Sequence, residues 1–342
     1  MKNKPIVRLF TSLILSFTLS HSFAAESGKV TGGINFDTPD WFKDSFLEIA
    51  EDAVEASEEG KHVLLFFHLN GCPYCNKMVN QNFQQEPLKS QIQANFDSIE
   101  INIKGDREIA MSEDMTTTES VLATYLKVKY TPTILFLDGN NKTVLRLNGY
   151  RSPEALKQAL DFVQQKAYLK NSFSEYKRDN MKYGQYQLNH NPLFSSTVDF
   201  SSLSIPVALL FEDNDCNECQ QFHDKMLSRK EIQQQLKNYH MVRLDAKSTQ
   251  PVINFHGQKT TAKDWADSLN ISYRPGLVLF DEGKEIARTE SMLYPFHFEH
   301  VLRFGLNKNY QTYPTYLDLM SVRQKKLLAQ GVDINIGKPS DW

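Results

Sequence analysis

Two stretches of the chain carry the same order of apolar and polar runs. The first opens with "HVLLFFHLN" at 62–70 and the second with "IPVALLFED" at 205–213. Both are continuous apolar runs bounded by polar residues, the pattern of a strand buried on both faces. Each leads through a helical stretch to a shorter run, "DSIEINI" at 97–103 and "HMVRLDA" at 240–246. A helix with a capping signal comes next: Thr116 with Glu119 ahead of "SVLATYL", and Thr261 with Asp264 ahead of "WADSL". An X-Pro step then opens a strand pair, "YTPTILFLDGNNKTVLRLNGY" at 130–150 against "YRPGLVLFDEGKEIARTESML" at 273–293, with glycine-containing turns at 138–141 and 281–284. A last helix, 152–166 or 295–304, closes each unit.

The chain therefore repeats one βαβαββα module, an order that predicts an α/β fold with helices on both faces of a central mixed sheet in each copy. Ahead of the first copy, "TPDWFKDSFLEIAEDAVEASEEG" predicts an amphipathic helix with Trp41, Phe42, Phe46, Ile49, Ala50 and Ala53 on one face. Between the copies, 167–202 is polar, rich in Tyr and Asn, and lacks sustained periodicity, so it reads as a linker. After 305, "YPTYLDLMSVRQKKLLAQG" predicts one more helix, ended by Gly331. The expected division is 36–166 for the first domain, 203–305 for the second, and 306–342 for a C-terminal helix and tail.

The N-terminus sets the compartment. Lys2, Lys4 and Arg8 precede an apolar run from Leu9 to Leu19, followed by small residues around Ala24, the layout of a signal peptide over 1–24 that directs the chain to an extracytoplasmic space. The run is too short to span a bilayer, so the processed chain is not expected to be an integral membrane protein. A net charge of −3 with acids and bases intermixed leaves no basic face for nucleic acid.

An exported chain keeps its disulfides, which bears on the cysteines. There are four, Cys72, Cys75, Cys216 and Cys219, in two C-x-x-C pairs placed just after the first strand of each module. Metal ligands, structural staples and redox centres are the three readings. A bridge across three residues removes little unfolded-state entropy, and domains this large fold on apolar burial alone, which disfavours staples. A metal site would need a third ligand, for which His223 is a candidate; "PFHFEH", with His297 and His300, reads as packing. Disulfide exchange suits the spacing: the first thiol sits exposed at a helix start, where backbone N–H groups stabilise its thiolate, and the second lies one turn deeper, within reach of a mixed disulfide. Cys72 is then the nucleophile and Cys75 the resolving thiol. His68 and Lys77 flank the first pair in sequence, whereas Glu212, Asp213, Asp215, Glu218 and Asp224 crowd the second and are expected to raise the Cys216 thiol, with Arg274 as the one opposing base.

C-P-Y-C at a helix start, with a Thr-Pro step sixty residues on at Thr131–Pro132, resembles the thioredoxin fold. The tandem arrangement with "GCPYC", "EINIKGDREI", "YTPTILFLD" and "VLRLNGYR" is similar to the SoxW-type periplasmic thioredoxin-like proteins. The resemblance implies that Pro132 and Pro275 are cis and face the cysteine pairs, and that Thr131, Arg274, Pro73 and Tyr74 help to bind substrate. It also implies a periplasmic oxidoreductase that uses its redox-active disulfides without a further cofactor, acting on client proteins with electrons from a membrane thiol carrier. One departure stands out: where thioredoxins keep a buried acid six residues before the first cysteine, this chain has Phe66 and Leu210. A metal-handling protein and a redox-inert adaptor or chaperone are the alternative functions.

Overall fold

The structure, a computed structural model, describes residues 27–180, 186–188, 190–214, 216 and 218–337. The expected signal peptide at 1–24 and the last residues of the expected tail lie outside them. Chain order begins with a two-residue strand, β1 (Val30–Thr31). The first module follows as α1 (Ile49–Glu58), β2 (His62–His68), α2 (Pro73–Met78), α3 (Leu88–Asn95), β3 (Phe96–Asn102), β4 (Glu108–Ser112), β5 (Met115–Thr118), α4 (Glu119–Tyr125), β6 (Thr133–Leu137), β7 (Thr143–Asn148) and α5 (Pro153–Gln164). After α6 (Phe173–Asn180) the second module gives β8 (Val207–Glu212), α7 (Cys219–Gln221), α8 (Lys230–Leu236), β9 (His240–Asp245), β10 (Pro251–Ile253), β11 (Lys259–Thr261), α9 (Ala262–Ser268), β12 (Gly276–Asp281), β13 (Lys284–Thr289) and α10 (Pro295–Gly305). The chain continues through α11 (Asn309–Thr312), α12 (Tyr316–Ala329) and β14 (Ile334–Asn335).

Each module has a four-stranded mixed sheet of the same order, β3-β2-β6-β7 and β9-β8-β12-β13. The central strand of each, β2 or β8, runs parallel to one neighbour and antiparallel to the other. Every residue of β2 and β8 is buried, because helices cover both faces, and that explains their unbroken apolar runs. These are two thioredoxin-like α/β domains in tandem.

Local chemistry departs from the sequence expectation in three places. The predicted helix from 38 onward begins only at Ile49: Leu47 takes a left-handed φ of 63°, and Ser45 holds the turn by accepting the Leu47 N–H (2.8 Å) and donating to Asp52 (2.5 Å). Trp41 and Phe42 therefore reach the core from a turn, with Phe42 against Phe66 and Phe83, while Phe46 is 97% exposed. Thr116 is not a cap; it pairs with Ala110 inside the β4–β5 hairpin, and Thr118 occupies the N-cap of α4. Glu119 is buried and accepts from Arg107 (2.7 Å) and the Asn102 N–H (2.9 Å). Thr261 does cap α9, accepting the Asp264 N–H. Finally, the 167–202 stretch contains α6, and its far end joins the second module: Ser195 and Asp199 bridge to Val242 and Ile253, and Phe200 is fully buried.

The modules meet through equivalent residues. Aligning Pro153 with Pro295 pairs Asn148 with Glu290, Gly149 with Ser291, and Ser152 with Tyr294. Asn148 donates to Glu290 at 3.1 Å, and a Cβ on Gly149 (φ 82°) would collide with the Ser291 side chain. Contacts between equivalent positions mark a local two-fold relation, the arrangement of an isologous interface.

Candidate functional site

Three residues after β2, Gly71, whose φ is 74°, turns the chain sharply into α2. Cys72 is the N-cap of that helix and Pro73 its first residue, where a missing N–H costs nothing. Cys72 and Cys75 form a disulfide. The Cys75 N–H donates to Cys72 Sγ at 3.1 Å, the contact that would stabilise a thiolate there after reduction. Thr131, the first residue of the cis Thr131–Pro132 bond, brings its hydroxyl to 3.4 Å and its carbonyl oxygen to 3.6 Å from the same sulfur. Cys75 is fully buried and Cys72 is 6% exposed, far less open than the sequence led one to expect. The reason is a cover supplied by distant parts of the chain.

That cover starts at Tyr74, whose hydroxyl accepts the Tyr294 N–H at 2.5 Å and whose ring lies 4.8 Å from the Tyr294 ring. A cavity of about 200 Å³ remains in front of Cys72, walled by Tyr130, Leu293, His297, Tyr316 and Met320 among others. His297 was expected only to pack; it is buried, its ring 5.4 Å from that of Tyr74, and burial with His300 nearby pulls it down to about 4. A strap closes the rim. β14 pairs in parallel with β1, Ile336 lines the cavity, and Gly337 lies against Pro73 so closely that a Cβ would stand 2.6 Å from the proline Cβ.

The two basic residues seen in sequence are already engaged. His68 contacts Glu100 on the neighbouring strand, and Lys77 lies 4.5 Å above the Tyr150 ring, with burial lowering its ammonium. Burial favours a neutral Glu100, but His68 and Arg107 outweigh it and hold the carboxyl below its usual range. The surroundings of Cys72 are thus not free of acid, because strand pairing brings Glu100 in. Phe66, at the position where thioredoxins carry an acid, is fully buried and stacks on His68 with centroids 5.7 Å apart; Leu210 is buried likewise.

The second pair sits at the equivalent place. Cys216 and Cys219 form a disulfide, 4% and 0% exposed, next to the cis Arg274–Pro275 bond. Its acids are paired rather than bare. Arg274 donates to Asp213 at 3.1 Å; His223 meets Glu212 at 2.8 Å; the Gln220 amide holds both Asp224 oxygens; and Glu218 takes a hydrogen bond from Ser152 of the first module. Asp215 lies outside the described residues. The expected rise of the Cys216 thiol loses most of its basis. His223, the suggested third metal ligand, is engaged with Glu212, and among the described residues no group of three or more His, Cys, Asp or Glu could hold a metal.

Lys177, on α6, is the residue that sequence reading missed. It shares a cavity with Cys216 and Arg274, and burial, with the charge of Arg274, brings its ammonium down to about 8. Position three of each C-x-x-C also touches the start of the other module's last helix, Tyr74 at Tyr294 and Glu218 at Ser152. The motif spacing was visible in sequence; the reciprocal capping was not.

A disulfide after the central strand of each mixed sheet, beside a cis X-Pro bond, defines a thioredoxin-class dithiol fold present twice. The chain belongs to the thioredoxin-like domain family, whose model matches residues 49–164 and 195–306. Among solved structures it is similar to a thioredoxin-fold protein from Helicobacter pylori (22% identity over 40% of this chain and 97% of that one, TM-score 0.32). It is also similar to a thioredoxin from Thermus thermophilus (24%, 33% and 82%, TM-score 0.27) and to the oxidised C-terminal domain of DsbD from Neisseria meningitidis (14%, 34% and 88%, TM-score 0.25). No curated protein matches the chain.

Proposed function

We propose that the chain is an exported thiol–disulfide oxidoreductase of the SoxW-like kind, working in the periplasm on disulfides of client proteins through Cys72 and Cys75. The observation that carries this reading is the set of groups converging on Cys72 Sγ: the Cys75 N–H at 3.1 Å and the Thr131 hydroxyl at 3.4 Å, both donors to the sulfur. They favour the thiolate, which attacks a client disulfide; Cys75 then resolves the mixed disulfide and the internal bond seen here forms. Each turnover moves two electrons from the dithiol to the client, so a membrane thiol carrier is the donor we assign. The cysteines themselves are the redox group and no other cofactor is invoked. Thr131 and Pro132, with Pro73 and Tyr74, form the client-facing rim of the first centre; Arg274 and Pro275 do so at the second, which serves as a slower redox centre, relay or docking module. No helix among the described residues is long and apolar enough to cross a membrane.

The test is insulin reduction by the full chain. Cys72→Ser is expected to abolish it, and Cys75→Ser to trap covalent client adducts on Cys72. Absence of adducts with Cys75→Ser would overturn the assignment of nucleophile and resolving thiol.

A further inference from the structure

The second centre opens on a solvent-open cleft that neither module builds alone. Ser152 and Gln158 reach it from α5, Lys177 from α6, and Cys216, Glu218 and Arg274 from the second module. Cys216, 4% exposed, lies at the wall of this cleft, so a slender ligand reaches the sulfur with less rearrangement than a folded protein surface needs.

The charges lining this cavity are unequally engaged. Arg274 and Asp213 hold each other at 3.1 Å, and Asp267 is held by Lys263 at 3.2 Å. Lys247 has a partner of its own. Glu218 takes the Ser152 hydrogen bond, and burial pushes its carboxyl up, toward the neutral form. Lys177 differs. Its ammonium donates to the Ser272 carbonyl at 3.2 Å and has no carboxylate at ion-pair distance among the described residues; Asp213 and Glu218 act on it only through longer-range attraction, so donor capacity remains. At pH 7 an amine titrating near 8 is still mostly charged.

We propose that the second centre exchanges with a low-molecular-weight thiol or disulfide bearing a carboxylate, which the Lys177 ammonium holds in the cavity lined by Cys216. The proposal rests on the reading of the C-x-x-C pairs as exchange centres but not on the client of Cys72. In the reducing direction the Cys216 thiolate attacks one sulfur of the small disulfide. A Cys216–SR bond forms, the RS–SR bond breaks, and RS⁻ leaves to take a proton from solvent. Cys219 thiolate then attacks Cys216, the internal disulfide forms, and the second RS⁻ departs. The dithiol loses two electrons and the small disulfide gains them; run backwards, two small thiols reduce the Cys216–Cys219 bond.

The test uses the full chain with Cys72→Ser and Cys75→Ser, so that only the second pair reacts, reduced with dithiothreitol and desalted. Rates of oxidation by 3,3′-dithiodipropionate, bis(2-hydroxyethyl) disulfide and cystamine are followed by acid quench and mass spectrometry, each divided by its rate with 2-mercaptoethanol. The normalised rate for the dianion is expected to exceed that for the dication by about tenfold or more at low salt. Lys177→Gln should remove the preference and Lys177→Arg retain it. Cystamine reacting as fast or faster, or a preference unchanged in Lys177→Gln, would overturn the proposal. So would a reduced pair that insulin oxidises while all three small disulfides leave it untouched. Failure of insulin reduction by the Cys72 pair is a separate result and bears only on the function proposed above.

Discussion

Replacing Gly337 with valine should uncover the first redox centre. A Cβ there would stand 2.6 Å from Pro73 Cβ, 2.9 Å from Pro73 Cγ and 2.7 Å from the Gly32 carbonyl oxygen, a rigid ring and a backbone atom that cannot step aside cheaply. The strap is tied by the Ile334 and Ile336 N–H groups to Lys29 and Thr31 carbonyls, both at 2.9 Å, by Lys29 N–H to Asp333 at 2.7 Å, and by burial of Ile334. Hydrogen bonds of about 1 kcal/mol each and about 2 kcal/mol for the isoleucine are set against about 1–2 kcal/mol per ordered residue, so the strap is held closed by only a few kcal/mol. Overpacking at Gly337 costs about 1–3 kcal/mol, and 1.4 kcal/mol is tenfold in an equilibrium, so the open population should rise roughly 5- to 150-fold. The assay is pseudo-first-order alkylation of reduced Cys72 by iodoacetamide in a Cys216→Ser, Cys219→Ser background, where an acceleration of about tenfold is expected. A rate within twofold of the parent would show that the strap does not limit access to the sulfur.

Tyr74→Phe removes the hydroxyl that accepts the Tyr294 N–H and should cost about 1–3 kcal/mol, read as a lower urea midpoint at unchanged slope. His297 titrates near 4 in the folded chain against about 6.5 unfolded, so the unfolded state binds more protons between those values and stability falls as pH drops from 6.5 toward 4. The contribution is up to about 1.4 kcal/mol per pH unit; urea titrations at pH 7.5 and 5 should show the loss, and His297→Gln should reduce it, leaving the share of His300, which burial also brings down to about 4. Asn148→Asp sets a carboxylate against Glu290 across the module boundary and should destabilise by about 0.5–1 kcal/mol at low salt; a loss that added salt does not relieve would refute the electrostatic cause.

The parts of this molecule that sequence reveals are those written by local periodicity. The unbroken apolar run of β2 and the recurrence of Cys72 and Pro132 as Cys216 and Pro275 require no tertiary knowledge. Charge is another matter, since proximity in sequence counts Asp213, Glu212 and Asp224 as a crowd of acids, whereas folding gives each a partner. Lys177 sits in a polar stretch with nothing to mark it, and the Tyr74–Tyr294 bond joins residues 220 apart. The late start of α1 was hidden for a local reason: Phe46 keeps the apolar phase while Ser45 and the left-handed Leu47 break the helix.

The meeting of Gly149 with Ser291 and of Asn148 with Glu290 has an evolutionary consequence. In a homodimer every substitution at a two-fold contact appears twice, so the two halves of the interface are bound to change together. Fusing the copies into one chain removes that coupling and lets each half drift alone. The glycine on one side now makes room for a serine on the other, and the third position of the motif has become a tyrosine in one copy and a glutamate in its twin. The repeated contact is thus flanked by two unlike cavities, one walled by aromatic rings and the other by charge.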